Sequence, residues 1–119
     1  MIGWRAAGAV FAGGSLGAVA RAGLLELAPV HAGTWPWATF AANIAGSLLV
    51  GAFAVSPGRA ELRAFREAGI CGALTTFSTL QLEVLELGGS NLPLAIAYLA
   101  ASIALGLVAV RAGRLWRLR

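Results

Sequence analysis

The chain has 119 residues, 59% of them hydrophobic and only 12% charged, with a mean hydropathy of +0.81. A soluble domain carries about 25% charged residues, so a water-soluble globule is excluded and a single all-α membrane domain over residues 1–119 is expected. All nine basic residues are arginines and the net charge is +4; they flank apolar runs instead of forming a stripe interleaved with aromatics, which points to membrane topology and away from nucleic acid.

Helix one is expected over residues 4–28. The run Ala6–Ala20 is uncharged between Arg5 and Arg21, and Pro29 marks the stop. Ala18-Val19-Ala20 resembles a signal-peptide cleavage site, but three further hydrophobic segments require a membrane protein in any case. Gly13, Gly14 and Gly17 give this helix a small-residue face suited to close helix contact. Arg21 either snorkels to the interface, the preferred reading, or pairs with a carboxylate such as Glu26 or Glu83. His31 stands alone in a short polar connection and reads as solvated.

Helix two is expected over residues 35–55. Trp35-Pro36-Trp37 opens it, with proline tolerated in the first turn and the tryptophans at interface depth. No charged residue occurs from Ala32 to Gly58. Thr39, Asn43 and Ser47 share one face at i, i+4, i+8, with Gly46 beside it. Two readings stay open for Asn43. It glues helices together by an interhelical hydrogen bond, or it is a donor lining a polar track.

Helix three is expected over residues 61–87 with a break near 72–77. Ser56-Pro57-Gly58 makes a turn, followed by an amphipathic lead-in carrying Arg59, Glu61, Arg63, Arg66 and Glu67. The span enters the membrane near Ala68. Its only cysteine, Cys71, allows no intramolecular disulfide and reads as a small buried hydrophobe. Gly72-Ala73-Leu74-Thr75-Thr76-Phe77-Ser78-Thr79-Leu80 then places four hydroxyl side chains in five positions of an uncharged run. Glycine, serine and β-branched threonine weaken a helix. A breakable polar centre in an apolar segment is what allows backbone groups to meet an ion within a bilayer. Glu83 and Glu86 mark the far end, and Glu83 faces a water-filled vestibule or reaches the headgroups.

Helix four is expected over residues 91–114, after a turn at Gly88-Gly89-Ser90-Asn91. It is uncharged from Leu87 to Val110, long enough to span with some tilt. Tyr98, Ser102 and Gly106 form a second polar or small stripe, which also suits plain helix packing. Four spans put Arg5, Arg59, Arg63, Arg66, Arg111, Arg114, Arg117 and Arg119 on one side and Arg21 alone on the other. That bias predicts a multi-pass protein of the plasma membrane with both termini in the cytoplasm. Four short helices are a thin wall for a conduit, so oligomerisation is expected. No Ser/His/Asp set, catalytic carboxylate pair or phosphate-cradling loop is visible, so the chain does not read as an enzyme.

These motifs resemble the CrcB/Fluc fluoride channels along essentially the whole chain. The matching residues are Gly13-Gly14-Ser15-Leu16-Gly17-Ala18 with Arg21, Thr39 with Asn43 and Gly46, the Gly72–Thr79 string, and Tyr98 with Ser102. The resemblance implies four-helix subunits with a broken third helix, pairing as an antiparallel dimer with two fluoride pores. It implies a structural sodium ion held by the backbone carbonyls of Gly72 and Thr75, where a hard cation finds oxygen ligands. It also implies a fluoride path lined by Asn43, Thr39, Phe77, Ser78, Thr79, Tyr98 and Ser102, with Arg21 and Glu83 structural. Phe77 would offer its electropositive ring edge to the anion. Two departures stand out. Leu80 fills a position that is phenylalanine in typical members, which predicts a weakened or silent pore. The charge bias is one-sided, whereas members that insert both ways are nearly balanced. Both point to one half of a heterodimer with an oppositely oriented paralogous subunit. The competing reading is a proton-coupled four-helix transporter of the small multidrug-resistance type. That class needs a membrane-buried glutamate in helix one, where this chain has only Glu26 near the end. A third reading is a non-conducting subunit that only assembles a partner.

Overall fold

The computed structural model describes residues 3–119, and every element among them is a helix. Helix one is Trp4–Leu27 and helix two is Trp37–Ala54. Helix three is bent. It begins with an α turn at Ala60–Arg63, continues as a π-helical stretch at Ala64–Cys71 and an α turn at Gly72–Leu74, and resumes after a break as Phe77–Ser90. Helix four is Leu92–Leu118. Among the described residues Trp4–Leu27, Trp37–Ala54, Ala60–Ser90 and Leu92–Leu118 are long and apolar enough to cross a membrane. The long axis of 47 Å suits a bilayer of about 40–45 Å including headgroups.

The interior is built from small residues. Gly13, Gly17, Ala38, Ala42, Gly46, Ala52, Gly69, Ala109 and Gly113 are buried, while Phe11, Val19, Leu85 and Leu107 are exposed. Lipid is as apolar as leucine, so helices associate where small residues let backbones approach. Helix one packs on the first half of helix three, and helix two packs on helix four. On the expected small face of helix one, Gly13 and Gly17 serve the contact with helix three. A methyl group at Gly14 would meet nothing.

The arginine-rich end is tied by side chains. Arg117 Nε donates to Ser56 Oγ at 2.8 Å and Arg66 Nη2 donates to the Pro57 carbonyl at 3.1 Å, clasping the connection between helices two and three. At the opposite end, Trp37 is exposed as expected of an interface residue, but Trp35 turns inward. Its ring meets Phe40 and Tyr98 edge-on at 5.3 and 5.2 Å. There it seals the core of Leu80, Leu87, Ala95 and Tyr98.

Two boundaries differ from the sequence expectation by more than two residues. The turn anticipated over Gly88–Asn91 shrinks to Asn91, with helix three continuing through Ser90. Asn91 Oδ1 accepts the Leu94 N–H at 3.2 Å and Pro93 sits in the first turn, where its missing N–H costs nothing, so the cap alone starts helix four. Helix four also runs past residue 114, because Arg117 in its last turn complements the helix dipole.

Candidate functional site

The break lies at Thr75 and Thr76, both in extended backbone, with φ −81, ψ 152 and φ −147, ψ 117. Two consecutive β-branched residues lose little by leaving the helix. Both halves are closed by threonine side chains. The Cys71 carbonyl accepts the Thr75 N–H at 3.0 Å and the Thr75 hydroxyl at 2.8 Å. Thr76 Oγ1 accepts the Thr79 N–H at 3.2 Å, the N-cap of the second half.

Asn43 bridges the gap from helix two. Its Nδ2 donates to the Thr76 carbonyl at 3.1 Å, and its Oδ1 accepts the Thr76 N–H at 2.8 Å. The side-chain amide thus stands in for a peptide and satisfies both backbone groups of one residue in the gap. Spacing alone leaves glue and donor open. The structure shows the glue, with one amide N–H still uncommitted.

This diversion has a consequence for the neighbouring carbonyls. In a continuous helix the Thr76 N–H would bond Gly72 C=O and the Thr79 N–H would bond Thr75 C=O. Asn43 takes the first donor and Thr76 Oγ1 takes the second. By the same i→i−4 rule the Phe77 and Ser78 N–H groups, now at the start of the second half, no longer reach Ala73 and Leu74, so the carbonyls from Gly72 to Thr75 all lose their helical donors at the break.

Beyond the break runs a buried polar seam. Thr39 Oγ1 donates to Glu83 Oε1 and Tyr98 OH donates to Glu83 Oε2, each at 2.7 Å. Glu83 is only 6% exposed, so one hydroxyl on each oxygen supplies the partners a buried carboxylate requires. Arg21 makes no ion pair among the described residues, so its alternative pairing with Glu83 or Glu26 is not realised. Glu83 also borders a cavity of about 570 Å³ lined by His31, Thr34, Glu86 and Ser90.

The two stripes read from helices two and four face each other. A methyl group added at Gly106 would lie 3.6 Å from Ser47 Oγ, and Ser102 Oγ is buried without a hydrogen-bond partner among the described residues. Beside them a cleft of about 300 Å³ is lined by Asn43, Ser47, Thr75, Thr76, Phe77 and Leu80. Phe77 is 69% exposed at its mouth, whereas Leu80 is 6% exposed and packs into the core with Leu87 and Tyr98. Ser78 is exposed and Thr79 half-buried, its Oγ1 accepting from Thr76 Oγ1 at 3.0 Å.

The structure therefore gathers Asn43, Thr75, Phe77 and Leu80 around one cleft and Thr39, Glu83 and Tyr98 around one carboxylate. Sequence reasoning misses Thr76, to which the side chains of Asn43, Ser78 and Thr79 bond. The available signal was a threonine three residues before Thr79, the spacing of an N-cap and its recipient N–H.

A family model described as "CrcB-like protein, Camphor Resistance (CrcB)" matches residues 8–114. The chain is 46% identical over 113 residues to a protein of Mycobacterium tuberculosis named "Fluoride-specific ion channel FluC 1", covering 90% of this chain and 86% of the relative. It is 42% identical over 104 residues to "Fluoride-specific ion channel FluC 2" of Bacillus subtilis, covering 84% and 78%. With the Methanopyrus kandleri protein named "Fluoride-specific ion channel FluC" it shares 40% identity over 120 residues, covering 94% and 88%.

Proposed function

The chain belongs to the CrcB family, and on that premise we propose that it works as a fluoride-specific channel subunit and not as an enzyme. The observation that carries this reading is the asparagine-bridged break, with its freed backbone groups beside a cleft that has Phe77 at its mouth. Fluoride is small and tightly hydrated, so a path must replace water with donors. The uncommitted Asn43 N–H, the Ser78 and Ser102 hydroxyls and the electropositive edge of Phe77 are suited to that. Thr39 and Tyr98 spend their hydroxyl protons on Glu83 and so act by holding the seam at the vestibule. Conduction is passive: HF enters as a weak acid, ionises in the cytoplasm, and the trapped anion leaves down its gradient. The proton-coupled transporter finds no support, because Glu26 is exposed at the penultimate position of helix one.

Carbonyls freed at the break suit a hard cation, and by the match to the family motif Gly72 and Thr75 are the residues that would hold a structural sodium. Bound there, the ion would supply positive charge to carbonyls that lipid leaves unsatisfied. Replacing sodium by N-methylglucamine on both sides of a liposome is expected to cut fluoride efflux severely. Unchanged efflux in sodium-free medium would remove the sodium from this picture.

The subunit arrangement follows from the charge bias and from Leu80. An antiparallel heterodimer in the plasma membrane, this subunit with both termini cytoplasmic, accounts for eight arginines at one end and for the absent second ring. Fluoride-loaded liposomes containing this chain alone are expected to leak slowly, and those also containing a paralogous subunit of opposite charge bias to empty fast. Fast efflux from the chain alone would replace the heterodimer by a homodimer. No efflux from either preparation would end the channel reading itself.

A further inference from the structure

Gln81 is an uncharged but strongly polar side chain within a span, and its placement is unexplained by the fold. It lies five residues beyond Thr76, which is level with Asn43, and two before Glu83, which is level with Thr39. Its depth therefore falls between the two polar seams, inside the hydrocarbon region. Its side chain is exposed and makes no hydrogen bond among the described residues. An amide facing hydrocarbon without a partner is costly, so this position needs a polar occupant beside it.

The surroundings say where that occupant runs. Gln81 follows Phe77 at i+4, so the two share one face of the second half of helix three. Both line a groove of about 490 Å³ with Leu80, Val84, Leu85 and Leu99, in which Gln81 is the polar member. Phe77 and Leu80 also line the 300 Å³ cleft at Asn43. The two hollows thus meet across Phe77. On one side of the ring the donor is Asn43; on the other it is Gln81.

We propose that Gln81 is a further fluoride-coordinating residue, presenting its amide N–H groups to the anion on the outward side of Phe77. This rests on the channel reading above. Donors on both sides of the ring let the ion pass Phe77 without a gap in hydrogen bonding. Because Leu80 offers no polar or aromatic group there, Gln81 is the side chain on which this stretch of the path depends.

The test compares Gln81→Met, Gln81→Asn and the unmodified chain, each reconstituted in the subunit combination that conducts, with fluoride and chloride efflux read by electrodes. Gln81→Met keeps the length and apolar stem but removes the donors. Its fluoride efflux is expected to fall by roughly tenfold or more, the scale of one hydrogen bond to an ion, with a smaller fluoride-over-chloride ratio. Gln81→Asn, which keeps an amide, is expected to recover part of both. Wild-type efflux and selectivity in Gln81→Met would overturn the proposal. Loss of efflux accompanied by loss of the assembled species on size exclusion would overturn it too, marking Gln81 as a contact between subunits. A silent unmodified chain would instead overturn the channel reading beneath it.

Discussion

Asn43→Leu is expected to abolish fluoride efflux and to lower the thermal stability of the detergent-solubilised protein. Leucine nearly matches asparagine in shape, so packing between helices two and three survives. What disappears is the pair of hydrogen bonds to Thr76, at 3.1 and 2.8 Å. The Thr76 carbonyl, at the N-cap, still accepts the first bond of the second half, so the part-buried N–H is the group left unsatisfied, at a cost of about 1–3 kcal/mol. The chain's cheapest remedy is to return the Thr76 N–H to the Gly72 carbonyl, restoring a continuous helix. That would withdraw the freed carbonyl, swing Phe77 from the cleft mouth and remove the uncommitted Asn43 N–H in one step. Asn43→Asp separates the two effects. It keeps an acceptor for the Thr76 N–H, and so recovers part of the stability, but its charge repels the anion and no flux returns. Fluoride-electrode efflux and a melting curve on each variant decide this. Asn43→Leu conducting at the unmodified rate would show that the bridge is incidental to the path.

The spans were legible because the bilayer imposes its demand on sequence directly: twenty apolar residues, charges at the ends, breakers between. The weakness of the Thr75–Thr79 stretch was legible for the same reason, since glycine and hydroxyl residues there oppose a helix that everything around them favours. What spacing does not carry is who answers whom across helices. Thr39, Asn43 and Ser47 form one stripe on helix two, yet each has a different neighbour: Glu83, Thr76 and Gly106. Those pairings depend on the depth and rotation of helices three and four, which no periodicity within helix two contains. Glu83 shows the limit well. Its charge made Arg21 an attractive partner, but a buried carboxylate is satisfied equally by two hydroxyls, and these cost less to desolvate than a guanidinium. The π-helical stretch at Ala64–Cys71 was invisible, because an i→i+5 pattern has no composition of its own. Leu80 and Phe77, three residues apart, border the same two hollows, yet one is buried in the core and the other exposed. Only the angle at the break sets which.

Gly69→Ala is expected to lower both the melting temperature and the fluoride efflux. A Cβ on Gly69 would lie 2.9 Å from Gly13 Cα and 3.0 Å from both Gly14 N and the Val10 carbonyl oxygen. All three are backbone atoms of helix one, so no side chain can swing aside and the helices must separate. Overpacking of this kind costs about 1–3 kcal/mol, a large share where association rests on close backbone approach and not on a hydrophobic drive. The damage also travels. Gly69 sits in the π-helical stretch, three residues before Gly72, so displacing it moves the first half of helix three away from the half that Asn43 holds. Fluoride efflux should therefore fall along with the melting temperature, although Gly69 touches no part of the path. Gly14→Ala is the matched control. It adds the same methyl on the facing helix, helix one, where nothing lies within 4 Å, and should leave the melting curve of the isolated subunit unchanged. A Gly69→Ala protein that melts and conducts like the unmodified chain would mean that helices one and three are not in backbone contact.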